Sequence, residues 1–514
     1  MKEQFEMVAK TLQGLEDVLA DELKALGAQN IQVGRRVVSF EGDKEMLYKA
    51  NMCCRTALRI LKPICKFIAH DTDSLYEMTK EFDWTQIITA DNSIVIDTVA
   101  YSDIFSHSRF VTYRIKDAIV DHFKDRFGDN KRPNVCLEDA DVMINVHIDE
   151  DRVTISLDSS GESLHRRGYR VAQNDAPINE VLAAGIILKS GWNGQTPLID
   201  PMCGSGTFLI EAALIAANIN PGVYRSSFAF EKWKDFDQEL LDALYNDDSG
   251  EREVTQPIIG ADISPKAIAI TQANMKQAGV AKYIDLHIRP IADWKPEDVP
   301  GKGYIITNPP YGERIMADDM DALYTTIGSK LKHVFTGFNA WIIGFRDEHF
   351  KKIGLAASSK TPMLNGSLEC ELREYIIFDG DKKSFRREGG TLKTKGREAS
   401  PKDRRMRRKS DQEWKADARK KGFGGKESRR SPRPEPRNPL EAKYQGKPKG
   451  RARREEKTPI INSENPLAAR RNEGLLESIL NRGPQKPQGQ GTTMRQRRGW
   501  KRNDNTDNNP ENNN

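Results

Sequence analysis

The stretch DPMCGSGT at residues 200–207 decides the fold, because it joins a short apolar strand, 198–199, to the helical pattern FLIEAALIA. Gly204 and Gly206 let the backbone turn sharply and come close to a ligand. A helix that starts at Thr207 points free N–H groups at the contents of the turn, which favours a carboxylate or a phosphate. The stretch fits neither GxxxxGK[ST] nor GxGxxG. It therefore predicts a site for a ligand with few phosphates, although such turns can also be mere connectors.

Strands and helices alternate on both sides of this stretch. The predicted strands are 197–200, 257–262, 283–288, 303–307, 339–344 and 372–378, and the helices between them include 206–218, 264–278 and 320–335. Strands that alternate with helices indicate an α/β fold with a parallel sheet wound on both faces. This part of the chain is therefore expected to be a Rossmann-like domain.

The first 160 residues have a different, mixed α+β pattern. A helix is predicted at 14–26, two strands around Gly34 at 30–40, a strand with a proline irregularity at 55–67, an amphipathic helix at 109–127 and a hairpin at 142–157. Beyond residue 380 the periodicity ends, and the composition predicts a disordered tail.

Charge divides the chain at the same point. Residues 381–514 hold 38 Lys and Arg against 18 Asp and Glu, a net charge of +20, whereas residues 1–380 carry a net charge of −15. Such asymmetry indicates a polyanionic partner met through the tail. The alternative is an appendage that only increases solubility.

The sequence argues against a membrane protein, a secreted protein and a zinc site. No apolar run approaches the roughly 20 residues that span a bilayer, and the N-terminus has no signal-peptide pattern, so we expect a cytoplasmic protein without membrane contact. The six cysteines form no CxxC pair and no zinc-ligand spacing with histidine. We therefore expect reduced thiols and no metal site.

Two carboxylates follow the next strands. Asp262 ends the strand IIGAD and is placed to accept the hydroxyls of a ribose, although it could be only a residue before a helix capped by Ser264. Asp293, in IADW, could accept from the exocyclic amine of an adenine, but a solvated loop carboxylate is an equal alternative.

The motif TNPPYGER at residues 307–314 carries the most specific chemistry. The amino group of a nucleobase is a poor nucleophile, because its lone pair is delocalised into the ring. The side-chain carbonyl of Asn308 and the backbone carbonyl of Pro309 can accept its two hydrogens and stabilise the charge that develops on nitrogen. Tyr311 offers a stacking face for a base taken out of its helix. A simple Asn-Pro-Pro turn is the alternative.

Together, DPMCGSGTFLIEAA and TNPPYGERI resemble class I S-adenosylmethionine-dependent RNA methyltransferases that carry an N-terminal THUMP domain. The segment GESLHRRGYR at 161–170 is similar to the one that the bacterial large-subunit (23S) ribosomal RNA guanine-N2 methyltransferases, the RlmL type, place between these domains. The motif APINE at 176–180 also resembles the family, where it lines the methionine end of the donor. The resemblance covers roughly residues 1–380, without the second methyltransferase domain that some members carry, so we expect no second activity.

The resemblance implies a division into domains and a set of site residues. The domains would be a ferredoxin-like unit (1–43), a THUMP RNA-binding domain (44–158), a class I methyltransferase domain (159–380) and the disordered basic tail (381–514). The donor would be held by Asp200, Cys203, Gly204, Gly206 and Asn179, its ribose by Asp262 and its adenine by Asp293, and the target base by Asn308, Pro309, Pro310 and Tyr311.

The nature of the substrate stays open among several alternatives. The Asn-Pro-Pro-Tyr motif also occurs in adenine-N6 DNA methyltransferases and in enzymes that methylate glutamine side chains, but the THUMP resemblance, the segment 161–170 and the tail favour RNA. A transfer RNA guanine-N2 methyltransferase would use the same chemistry. A ribosome-assembly factor that only binds RNA is the alternative from another class, and the tail could contact pre-ribosomal particles in either case.

Overall fold

Two β-sheets organise the part of the chain that the computed structural model describes, which is residues 3–174, 177–310, 317–345 and 347–378. Tyr311 and the predicted tail, 381–514, lie outside these residues. None of the described helices is long and apolar enough to cross a membrane.

The first sheet has eight strands. They are β1 (Phe5–Lys10), β2 (Gln29–Gly34), β3 (Val37–Gly42), β4 (Arg59–Ile68), β5 (Ser93–Tyr101), β6 (Asn134–Val135), β7 (Val142–Asp149) and β8 (Arg152–Asp158). Their order is β2-β3-β1-β4-β8-β7-β5-β6, and β5 pairs in parallel with β6 and β7 whereas the other pairs are antiparallel. The two predicted hairpins, β2–β3 and β7–β8, are confirmed.

Four helices share one apolar core with this sheet: α1 (Glu16–Ala25), α2 (Lys44–Cys53), α3 (Thr72–Glu81) and α4 (Ser108–Phe127). The predicted apolar face of α4 is buried in that core, with Val111, Ile115, Ile119 and Phe123. Strand β4 shifts register between Pro63 and Cys65, where the sequence predicted a proline irregularity. This happens because proline has no N–H to give to the strand ladder.

The second sheet has seven strands. They are β9 (Leu198–Asp200), β10 (Ile258–Asp262), β11 (Ile284–Ile288), β12 (Tyr304–Thr307), β13 (Asn339–Gly344), β14 (Ser359–Asn365) and β15 (Leu368–Ile376), in the order β11-β10-β9-β12-β13-β15-β14. The first five are parallel, as predicted. The helices of this part are α5 (Glu180–Ser190), α6 (Thr207–Ala216), α7 (Gln238–Asn246), α8 (Pro265–Gln277), α9 (Ala317–His333) and α10 (Asp347–Lys352).

Both faces of this sheet are covered. Helices α5, α6 and α8 contribute to one apolar layer, and α9 and α10 contribute to the other. The chain runs from β9 to β10 and β11 on one side, and then crosses to β12 on the other side. The carboxyl ends of β9, β10 and β12 therefore meet at the switch point where doubly wound sheets bind ligands.

The last predicted strand differs from the expectation of a parallel sheet. Residues 372–378 were predicted as one strand, but they fall largely in β15, which is antiparallel to β13 and forms a hairpin with the unpredicted β14. The turn between them contains Gly366, whose φ of +63° suits glycine. Strand β14 is an edge strand with the polar sequence SKTPMLN, so it lacks the apolar alternation on which strand prediction depends.

The two sheets are joined by direct contacts near α6. The guanidinium of Arg55, just after α2, donates to the carbonyl oxygens of Leu214 (3.3 Å) and Ile219 (2.9 Å) at the carboxyl end of α6. The amide N–H groups of Arg55 and Thr56 donate to the carboxylate of half-buried Glu22 in α1. The helix that begins at the glycine-rich turn is therefore anchored at its other end to the first sheet.

Candidate active site

A cavity of about 1520 Å³ opens at the carboxyl ends of β9, β10 and β12. Seven of the predicted site residues line it: Asp200, Cys203, Gly204, Asp262, Asn308, Pro309 and Pro310. They come from three separate strand ends, so the sheet brings together residues that are up to 110 positions apart in the chain. A site of this size exceeds an ordinary small-molecule pocket of about 300–1,000 Å³ and leaves room for two ligands side by side.

Four predicted residues do not line the described cavity. Gly206 lies behind the turn as the N-cap of α6, and Asn179 caps α5 by accepting hydrogen bonds from the N–H groups of Val181 and Leu182. Asp293 lies exposed in a short 3-10 turn, although its neighbours Ile291 and Ala292 line the cavity. Tyr311 lies outside the described residues.

The glycine-rich turn uses its two glycines differently. Gly204 has φ of +56°, and a side-chain carbon there would meet only Asn174 Nδ2, at 3.8 Å, so this glycine leaves open space towards the cavity. Gly206 has φ of +78°, and a side-chain carbon would lie 2.5 Å from Thr271 Cγ2. The first glycine therefore makes room for a ligand, whereas the second allows α8 to approach closely.

Asp262 is fixed by backbone groups at the end of β10. Its Oδ2 accepts from the N–H of Gly204 (2.9 Å) and its Oδ1 accepts from the N–H of Ser264 (2.9 Å). A carboxylate oxygen can accept more than one hydrogen bond, so both oxygens keep capacity for a ligand. Ser264 also caps α8, as the alternative interpretation of this motif expected.

Asp200 is the most buried carboxylate of the site, with 1% of its surface exposed. Its Oδ1 accepts from the hydroxyl of Thr307 (2.7 Å) and from the N–H of Met202 (3.2 Å). Burial outweighs these bonds and raises the pKa of Asp200 to about 7, because the ionised form loses its hydration.

Asn308 presents a buried acceptor at the cavity wall. Its Oδ1 is buried, and none of the described residues donates a hydrogen bond to it. A buried polar atom without a partner is costly, so this oxygen has free capacity to accept a hydrogen bond from a ligand in the cavity. Pro309 and Pro310 follow in the same wall and fix the local backbone.

The cavity continues to a second, polar end. There His349 Nδ1 lies 3.3 Å from Asp321 Oδ1, and Lys352 Nζ lies 2.7 Å from Asp321 Oδ2. The turn at 365–366 between β14 and β15 also lines this end. This end contains hydrogen-bond donors and acceptors, and it therefore suits a polar molecule.

Sequence reasoning missed the residues that hold the turn in place. Thr271 Oγ1 donates to the carbonyl of Gly204 (2.8 Å), and Asn274 Nδ2 donates to the carbonyl of Ser205 (3.1 Å). Both are fully buried on the apolar face of α8. Polar residues on the buried face of a predicted helix are the signal that could have identified them.

A doubly wound sheet with this turn after its first strand and Asn-Pro-Pro after its fourth defines a class I methyltransferase domain. Three family models agree with this architecture: an RlmL ferredoxin-like domain matches residues 6–61, a THUMP domain matches 69–158, and an RMKL-like methyltransferase domain matches 167–374.

Individual relatives extend the match over most of the chain. A putative RNA methyltransferase of Synechocystis sp. is 37% identical over 72% of this chain and 96% of its own length. A ribosomal RNA large subunit methyltransferase K/L of Syntrophotalea carbinolica is 39% identical over 71% of this chain and 53% of its own length. The chain thus spans about half the length of the K/L relatives.

A solved structure matches as well. The crystal structure of SMU.472, a putative methyltransferase complexed with SAH, has a TM-score of 0.66 and 29% identity, and the match covers 74% of this chain and all of that one. The chain belongs to the RMKL-like methyltransferase family.

Proposed function

We propose that this chain is an S-adenosylmethionine-dependent RNA methyltransferase that forms N2-methylguanosine in large-subunit ribosomal RNA. The observation that carries the proposal is the buried Oδ1 of Asn308, which accepts no hydrogen bond from any described residue and lies at the edge of a cavity with space for two ligands. This acceptor suits an exocyclic amino group, which has hydrogens to donate.

The residues of the turn fit the donor. Gly204 leaves the space that a side chain would fill, and Asp262 keeps acceptor capacity for ribose hydroxyls. We assign the donor to the end of the cavity formed by Asp200, Cys203, Gly204 and Asp262, with Gly206 supporting the turn from behind. When bound, S-adenosylmethionine supplies a methyl group activated by the positive charge on its sulfur. SMU.472, which has the same architecture, was solved with SAH.

Asn308 and Pro309 bind the target base, which accepts the methyl group. Asn308 Oδ1 and the carbonyl of Pro309 accept the two amino hydrogens of the base, and this aims the nitrogen lone pair at the methyl carbon. Transfer would break the bond between the methyl carbon and sulfur, with S-adenosylhomocysteine as the leaving group, and positive charge would grow on that nitrogen, where both oxygens would stabilise it. One amino proton then passes to water. The roles of Asn179, Asp293 and Tyr311 remain predictions from the sequence.

The choice of RNA as the substrate rests on the relatives and on the THUMP match. The K/L relatives are named for large-subunit ribosomal RNA, and the THUMP match covers 69–158. We extend the proposal to pre-ribosomal particles met through the basic residues of 381–514, and to the cytoplasm as the compartment.

One experiment tests the proposal. The purified protein is incubated with labelled S-adenosylmethionine and either unmodified large-subunit ribosomal RNA or unmodified bulk transfer RNA, and the digested products are measured by mass spectrometry. N2-methylguanosine from ribosomal RNA alone is the expected result. Label in transfer RNA alone would assign the transfer RNA alternative, and N6-methyladenosine would refute the guanine specificity. Tight RNA binding without label in either RNA would favour the assembly factor.

A further inference from the structure

The segment GESLHRRGYR at 161–170 connects the two sheets by contacts at both of its ends. At its start, the N–H of Leu164 donates to the carbonyl of Leu58 beside β4 (2.9 Å), and Leu164 is buried in the core of the first sheet. Near its end, the hydroxyl of buried Tyr169 donates to Glu211 in α6 (2.9 Å). The segment therefore leads from the first sheet to the helix that starts at the glycine-rich turn.

Arg170, the last residue of this segment, reaches the turn itself. Its Nη1 donates to the hydroxyl of Ser205 (3.1 Å), and its Nη2 donates to the hydroxyl of Thr207 (3.0 Å). Ser205 and Thr207 are buried and line the cavity. One guanidinium thus holds two positions of the turn, on either side of Gly206.

The other face of the guanidinium is anchored at the start of α5. Its Nε donates to Glu180 Oε1 (2.7 Å), and its Nη2 also reaches the carbonyl of Ile178 (3.3 Å). The side chains of Arg170 and Glu180 are only 15% and 7% exposed, so solvent screens this ion pair little. Glu180 itself does not line the cavity, whereas Ile178 does.

We propose that Arg170 is a positioning residue for the methyl donor, which fixes the glycine-rich turn in its donor-binding shape through Ser205 and Thr207. The inference rests on the proposed function, because it concerns the same donor. Arginine is required, since its planar fork can donate to Glu180, Ser205 and Thr207 at once, whereas a lysine ammonium is a compact charge on a flexible stem. Without the fork, the turn loses its connection to α5 and to the segment 161–170.

The test compares Arg170→Lys with Arg166→Lys. Arg166 lies in the same segment, but its side chain is 66% exposed and pairs only with Glu162 among the described residues. Binding of S-adenosylhomocysteine to the full-length proteins is measured by isothermal titration calorimetry, well below their melting temperatures. We expect the Arg170→Lys variant to bind about tenfold more weakly or worse, and the Arg166→Lys variant to bind like the wild type. In the methylation assay, the donor KM should rise while the RNA KM stays unchanged.

A second variant separates positioning from folding. Glu180→Gln removes the negative charge that anchors Arg170 without changing a cavity residue, so it should weaken S-adenosylhomocysteine binding in the same direction, and the double variant should lose less than the two single effects combined. If Arg170→Lys lowers the melting temperature but leaves the affinity within about twofold of wild type, the residue is only structural and the inference is overturned. A wild-type protein that binds no S-adenosylhomocysteine would instead refute the proposed function.

Discussion

The hydroxyl of Thr307 donates a hydrogen bond to Asp200 over 2.7 Å, although the two residues are 107 positions apart in the chain. They end the neighbouring parallel strands β12 and β9. The bond therefore ties the donor end of the cavity to the strand that leads into Asn308. Burial of Asp200 raises its pKa to about 7 despite this bond, which favours the ionised form.

The raised pKa of Asp200 predicts how stability depends on pH. In the unfolded chain its carboxyl releases its proton near pH 3.8, whereas the folded protein keeps that proton up to about pH 7. Between these values the folded state binds more protons, so stability falls as pH rises, by on the order of 4 kcal/mol from this group. Asp200→Asn, which stays neutral, should flatten this fall in urea unfolding curves from pH 4 to 8. Parallel pH profiles for the two proteins would show that the pKa of Asp200 is not raised.

Replacement of Asn308 should separate chemistry from binding. Asn308→Ala removes the acceptor that orients the amino group, so kcat should fall about a hundredfold or more. Affinity for S-adenosylhomocysteine and for RNA should change little, because those ligands make their main contacts elsewhere. Single-turnover methylation and filter binding measure the two effects. Retained methylation would refute the role assigned to this residue.

The energetic cost of a side chain at Gly206 can be measured against a control, Gly279, which has a similar positive φ but open space around it. Gly206→Ala places a carbon 2.5 Å from Thr271 Cγ2 at φ of +78°, whereas Gly279→Ala has φ of +68° and nothing within 4 Å. The Gly279 variant should lose about 1 kcal/mol of stability from backbone strain alone. The Gly206 variant should lose a further ~1–3 kcal/mol and bind S-adenosylhomocysteine more weakly. Equal losses in denaturant unfolding would mean that α8 can move aside without cost.

Removal of residues 381–514 should weaken RNA binding and flatten its salt dependence. The tail carries a net charge of +20, and each phosphate contact releases counterions, so the slope of affinity against salt reports the number of contacts. RNA affinity at several salt concentrations measures the change, with S-adenosylhomocysteine binding as the control for an intact site. An unchanged slope would exclude the tail as an RNA-binding element.

The sequence predicted the elements that local pattern controls. The strand ends at Asp200, Asp262 and Thr307 follow from apolar runs with turn signals, and their meeting follows from the rule that strands of a doubly wound sheet bind ligands at their carboxyl ends. The THUMP and methyltransferase architecture came from the combined motifs. These features are confirmed by the sheet order and by the family matches.

Contacts between distant residues were not predictable in this way. Arg170 belongs to a motif that the sequence analysis quoted, but its partner Thr207 lies 37 positions away and follows from the packing of a loop that has no periodicity. For Asp293, the sequence predicted the position in the chain correctly, in the turn after β11, but it did not predict that the side chain is exposed. A one-residue difference in a turn decides which side chain faces a cavity, and sequence patterns do not resolve that difference.

The pairing of β4 with β8 has a consequence for synthesis on the ribosome. Residues Leu61 and Asp158 are neighbours in the sheet, yet almost one hundred residues separate them in the chain. Until β8 has emerged, the nascent chain exposes an unpaired edge of β4, and such edges invite association with other chains. Contacts of this range also slow folding. This edge of β4 is therefore covered only once residues 152–158 have been synthesised, and a nascent chain stalled before then would be a target for chaperones.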